Sequence, residues 1–139
     1  MLSIERLSLE NAQILIEGAT EHANAMGILV CIAVVDESGN LIAFHRMDGA
    51  RVLSIGLSQD KAFTSAISRR PTAHYNKTAI PGSPSHGLHN AWGGRISTIA
   101  GGVPVEDEGT IIGAIGISGG TPEQDVACAE AAIAYFGAD

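Results

Sequence analysis

The chain has 139 residues and a formal net charge of −7, with 45% hydrophobic and 17% charged residues. That is enough chain to bury one core, and too apolar for a disordered segment. An acidic surface repels phosphate backbones, which argues against general nucleic-acid binding. No apolar run approaches the roughly 20 residues a bilayer span needs, and Met1 to Glu10 show neither a long apolar core nor a small-residue cleavage site. The expectation is a single cytoplasmic domain over residues 1–139, with no nucleic-acid or membrane partner.

Ser8 is placed to cap a helix that runs to about Gly27. Its apolar positions Leu9, Ala12, Ile16, Ala19, Ala23 and Met26 alternate steps of three and four. Ile28 to Val35 is a continuous apolar run, as in a strand covered on both faces. Asp36 to Asn40 reads as a turn, and Leu41 to Met47 as the returning strand. A second helix is predicted from about Leu53 to Arg69, stopped by Pro71, with Ile55, Ala62, Phe63, Ala66 and Ile67 buried. Ser54, Ser58, Lys61 and Ser65 fall on its opposite side.

Residues 71–95 are rich in Gly, Pro, Ser, Asn and His and hold no sustained period; so long a loop in a small domain is usually functional or mobile. Three short strands are predicted next, Ile96 to Ala100, Val103 to Val105 and Thr110 to Ser118. A last helix opens with Thr121 as cap, Pro122 at the first helical position and Gln124 closing a capping box. Val126, Ala129, Ile133 and Phe136 make its buried side, and Gly137 ends it. The order α-β-β-α-loop-β-β-β-α, with short connections, predicts an α+β fold: an antiparallel five-stranded sheet flanked by helices. Cys31 and Cys128 lie in apolar segments and read as buried free thiols.

Several segments then combine in order: Val34-Val35-Asp36, Gly39-Asn40-Leu41, Arg46-Met47-Asp48-Gly49-Ala50, Lys61-Ala62, Gly101-Gly102-Val103-Pro104-Val105 and Gly113 through Gly120. Together they resemble the GlcG/HbpS family, which includes the C-terminal domain of PduO-type proteins. The resemblance implies a profilin-like fold and assembly into homo-oligomers. It also implies a small-molecule ligand, with haem or another tetrapyrrole as the class. Aromatic residues make up only 4% of the chain, which weighs against a dedicated haem pocket. An enzyme of small-molecule catabolism, moving a proton on a carboxylate or keto acid, is the alternative reading.

The candidate residues follow from both sources. His22, on the first helix, would be an axial haem ligand by the resemblance, or a half-buried histidine near a helix end. His86 and His89 form a His-Gly-Leu-His pair; with no carboxylate or cysteine between them they suit proton transfer or hydrogen bonding better than a metal. Arg46 can grip a carboxylate with its planar fork or lock the Asp48 turn. Lys61 is either a solvated lysine or part of a polar face lining a pocket, with a catalytic role in the enzyme reading. Arg95 is a further anion contact. Gly101 and Gly102 offer backbone N–H groups to a ligand, or serve tight turns and close packing. The expected site lies between the 71–95 loop and the sheet edge.

Overall fold

A computed structural model describes residues 1–138. Helix α1 (Leu9–Met26) begins with a reciprocal capping pair. The Ser8 hydroxyl accepts from the Asn11 N–H at 3.1 Å, and the Asn11 side chain accepts from the Ser8 N–H at 2.9 Å. Gly27 stops the helix in the left-handed region at φ 71°. The buried stripe runs through Ala12, Leu15, Ile16, Ala19 and Ala23; Leu9, predicted to join it, is exposed.

Strand β1 (Cys31–Asp36) starts three residues later than predicted. The Ile28 N–H is spent closing α1, donating to the Ala23 carbonyl at 3.0 Å, and so cannot enter a ladder. β1 is buried throughout, and β2 (Leu41–Arg46) returns beside it. The intervening turn is held by Asp36, whose Oδ1 accepts from the N–H groups of Ser38 and Asn40.

Helix α2 (Val52–Ser68) is followed by the short helical turns α3 (Tyr75–Thr78) and α4 (Ala91–Gly94), then β3 (Gly102–Asp107), β4 (Thr110–Ser118) and α5 (Pro122–Ala138). The sheet is antiparallel in the order β2-β1-β4-β3 and has four strands among the described residues. The predicted fifth strand, Ile96 to Ala100, does not form. Its backbone turns to α2 instead: the Ser97 N–H donates to the Thr64 hydroxyl at 2.8 Å, and that hydroxyl donates to the Arg95 carbonyl. Helix α5 carries the predicted capping box, with Thr121 N–H to Gln124 Oε1 at 2.9 Å and Gln124 N–H to the Thr121 hydroxyl at 3.2 Å. It continues one residue beyond Gly137, the predicted stop.

The two faces of the sheet are packed by different rules. On one face α1 and α5 bury Ile32, Val34, Val105, Ile115 and Ile117 beneath Leu15, Ile16, Ala19 and Ala129. On the other, α2 lies over Ala33, Val35 and Ala114. A Cβ on Gly116 would stand 2.1 Å from the Ser58 carbonyl oxygen and 2.6 Å from the Ala62 nitrogen, so the helix backbone rests on the strand. The predicted facing of α2 holds in part: Ala62, Phe63 and Ala66 are buried as expected, but Ser54, Ser58, Lys61 and Ser65 are buried with them, and Ile55 and Ile67 are only half-buried. A floor of alanine and glycine accepts a helix face of small residues, and the serine hydroxyls are satisfied nearby. Ser65 donates to the Arg70 carbonyl at 2.8 Å, and Ser118 donates to Ser54 at 3.0 Å.

Candidate functional site

Lys61 is enclosed at 1% exposure at the point where the sheet runs out. β3 begins at Gly102, opposite Gly116, so Ile117, paired with Ile32 of β1, has no β3 residue opposite it on its other side. The Lys61 ammonium fills that gap, donating to the Ile117 carbonyl at 2.8 Å and to Asp125 Oδ2 on α5 at 3.1 Å. Asp125 in turn accepts from the Gly120 N–H through Oδ1 at 2.9 Å. Burial pushes the Lys61 ammonium below its ordinary value, against the opposing pull of the Asp125 carboxylate. The solvated lysine of the sequence reading is therefore a buried strut tying α2, β4 and α5 together.

Gly101 and Gly102 close over this strut. A Cβ on Gly101 would sit 2.7 Å from the Lys61 ammonium, and one on Gly102 would sit 2.3 Å from the Lys61 carbonyl oxygen. The Gly102 N–H already donates to the Thr72 hydroxyl at 2.9 Å, so it is not offered to a ligand. Close packing is what these two positions require.

The remaining loop and strand candidates stay apart. His86 and His89 are both exposed and line none of the hollows described here. Arg46 is exposed and donates to the Ala50 carbonyl at 3.4 Å, not to Asp48. Arg95 packs its guanidinium 3.8 Å from the centre of the Phe63 ring and lies 3.6 Å from Asp60. Trp92 meets the same Phe63 ring edge-on at 5.7 Å. The loop thus closes against the outer flank of α2, and it does not gather Arg46, Arg95 and the two imidazoles around one cavity.

His22 lies on α1. It is half-buried at the rim of a hollow of about 270 Å3 between α1 and α5, lined also by Gly18, Glu21, Ala25, Ala131 and Tyr135. The helices approach closely because Gly18 has no side chain: a Cβ there would lie 2.7 Å from Tyr135. Among the described residues the His22 imidazole has no hydrogen-bond or ion-pair partner, so either ring nitrogen is free to bind. Across α1, Glu21 also borders a groove of about 470 Å3 that holds Glu17, Thr20 and His45. Sequence reasoning passed over His45, because only the β2 register shows that it faces α1. No cluster of three or more His, Cys, Asp or Glu suited to a metal ion occurs among the described residues.

Fold and hollows define a small α+β protein with one antiparallel sheet between helices, and comparisons carry the assignment further. Residues 7–134 match the family described as haem degrading protein HbpS-like. Protein GlcG of Escherichia coli K12 is 38% identical over 112 residues, covering 81% of each chain. The crystal structure of Klebsiella pneumoniae protein ORFY superposes with a TM-score of 0.97 at 32% identity, over 100% of this chain and 96% of that one. The crystal structure of a PduOC:heme complex gives 0.90 at 32% identity, over 94% of each. The chain belongs to the HbpS-like family. No helix among the described residues is long and apolar enough to cross a membrane.

Proposed function

We propose that this is a cytoplasmic, self-associating protein that binds a tetrapyrrole such as haem, with His22 as an axial ligand. The observation that carries the reading is the unpartnered imidazole at the rim of the α1–α5 hollow. Its relative's crystal structure with heme lends support at 32% identity. The residues present fit one face of a macrocycle. Ala25 and Ala131 leave a low surface beside His22 on which a flat ring can lie. At about 270 Å3 the hollow falls below the roughly 300 Å3 at which pockets begin to enclose a ligand, so the outer face would be covered by a second copy of the chain. A bound haem would supply iron redox and ligand-binding chemistry. The chain's own contribution is to orient the His22 ring and exclude water from one side of the macrocycle.

Titration with hemin tests the proposal. A saturable Soret band at micromolar protein is expected, and His22→Ala should weaken it. Light scattering should show a mass of more than one chain. A band that never saturates, or one indifferent to His22→Ala, would overturn the assignment.

A further inference from the structure

The largest hollow described lies away from His22, where the end of α1, the Gly49 turn and the start of α5 meet. It measures about 580 Å3, and its lining includes Leu29, Gly49, Arg51, Gly119, Thr121 and Gln124. Arg51 is the one charged residue in that lining, in a chain whose net charge is −7. The other hollows each contain carboxylates: Glu21 beside His22, Glu17 and Glu21 beside His45, Glu5 and Asp107 near the N-terminal segment, and Glu123 beside α3. Of these five hollows, this is the one whose lining favours an anion.

The polar side chains in the lining are all supplied with hydrogens to give. The Arg51 guanidinium has no hydrogen bond or ion pair among the described residues. Gln124 uses Oε1 to accept from the Thr121 N–H, which leaves its NH2 group as a donor. Thr121 accepts from the Gln124 N–H, which leaves its hydroxyl proton free. The backbone N–H groups of Gly120 and Thr121 are already taken, by Asp125 and Gln124, so recognition rests on the side chains. Ile28 and Leu29 supply an apolar flank. Gly119 keeps the wall low: its φ is 147°, and a Cβ there would meet the Leu29 carbonyl oxygen at 2.2 Å.

We propose that this hollow binds a small monocarboxylate, gripped by the Arg51 guanidinium, with Thr121 and Gln124 donating to the same group and the short carbon chain lying against Ile28 and Leu29. One cation matches one negative charge, and the planar fork of arginine matches the two oxygens of a carboxylate. A phosphate dianion would leave a charge unmet. The site is separate from the His22 hollow and stands or falls without it.

Calorimetric titration with propionate, pyruvate and inorganic phosphate, backed by amide NMR of Gly119 to Gln124, tests the site. Propionate or pyruvate should saturate at millimolar concentration and move those amides. Arg51→Gln should weaken binding by about tenfold or more, the loss of a charged hydrogen bond. Leu29→Glu, at a half-exposed position, should weaken it as much by repulsion and serves as a second probe. Both variants should keep the hemin spectrum of the unaltered protein, so failure here is distinct from failure at His22. The proposal is overturned if neither carboxylate saturates, if Arg51→Gln binds as the unaltered protein does, or if phosphate binds as tightly as the carboxylates.

Discussion

Replacing Lys61 with methionine removes one partner of a buried ion pair and leaves the Asp125 carboxylate at 3% exposure without its cation. Breaking a buried pair from one side costs about 3–5 kcal/mol, because the remaining charge is desolvated and unmet. For a chain of this length about 1 kcal/mol corresponds to roughly 3 °C, so Lys61→Met should melt about 10–15 °C lower. Adding Asp125→Asn removes the orphaned charge and keeps an acceptor for the Gly120 N–H. The double variant should therefore recover more than half of the loss. Urea denaturation of all four proteins at pH 7 closes the cycle. The pH dependence carries a sign of its own. Lys61 has a lowered value in the folded state, so between that value and 10.5 the unfolded chain binds the extra proton and folding gains stability as pH rises. Lys61→Met lacks this gain, and the difference between the two proteins should widen over that window. A loss under about 1 kcal/mol for Lys61→Met, or additive losses in the double variant, would refute the strut.

Gly116→Ala should cost several times more than an ordinary surface change, since its Cβ would collide with α2 backbone, and the urea midpoint reports it. Gly56→Ala, exposed within α2 with open space around it, should instead stabilise by about 0.5–1 kcal/mol, and the reverse ranking would overturn the packing argument. Thr121→Ala removes the α5 cap and should cost about 1 kcal/mol, read by thermal melting. Burial pushes the Cys128 thiol up to about 12, so it should resist alkylation at pH 8 until the chain unfolds. Mass spectrometry after iodoacetamide treatment, with and without urea, checks that outcome.

The caps were legible because their signals are local: Ser8, Gly27, Thr121 and Gln124 each act within a few residues. The length of β4 was legible for the same reason, bounded by the Gly109 turn and the Gly119 break. The facing of α2 was legible only in part. Ala62, Phe63 and Ala66 turn inward as their periodicity predicts, but the burial of Ser54, Ser58 and Ser65 is decided by the Gly116 and Ala114 floor some fifty residues away. The Ile96 to Ala100 segment has the composition of a strand, yet Thr64 takes its backbone. His22 could be singled out from its family position, but the hollow beside it depends on Gly18 meeting Tyr135 across two helices. Arg51 escaped notice because nothing in its neighbours announces a cavity shared with α5, and only the folded chain brings Thr121 and Gln124 beside it.

The contact of α2 with bare strand backbone sets unequal tolerances on the two sides of the sheet. On the side covered by α1 and α5 the strands present valine and isoleucine side chains, where one branched side chain can be exchanged for another and its neighbours can re-pack. Where Gly116 meets α2 there is no side chain to yield, so an added carbon must displace the main chain itself. Drift in this protein should therefore accumulate on the α1–α5 side, while the serine, alanine and glycine seam is held to constant volume.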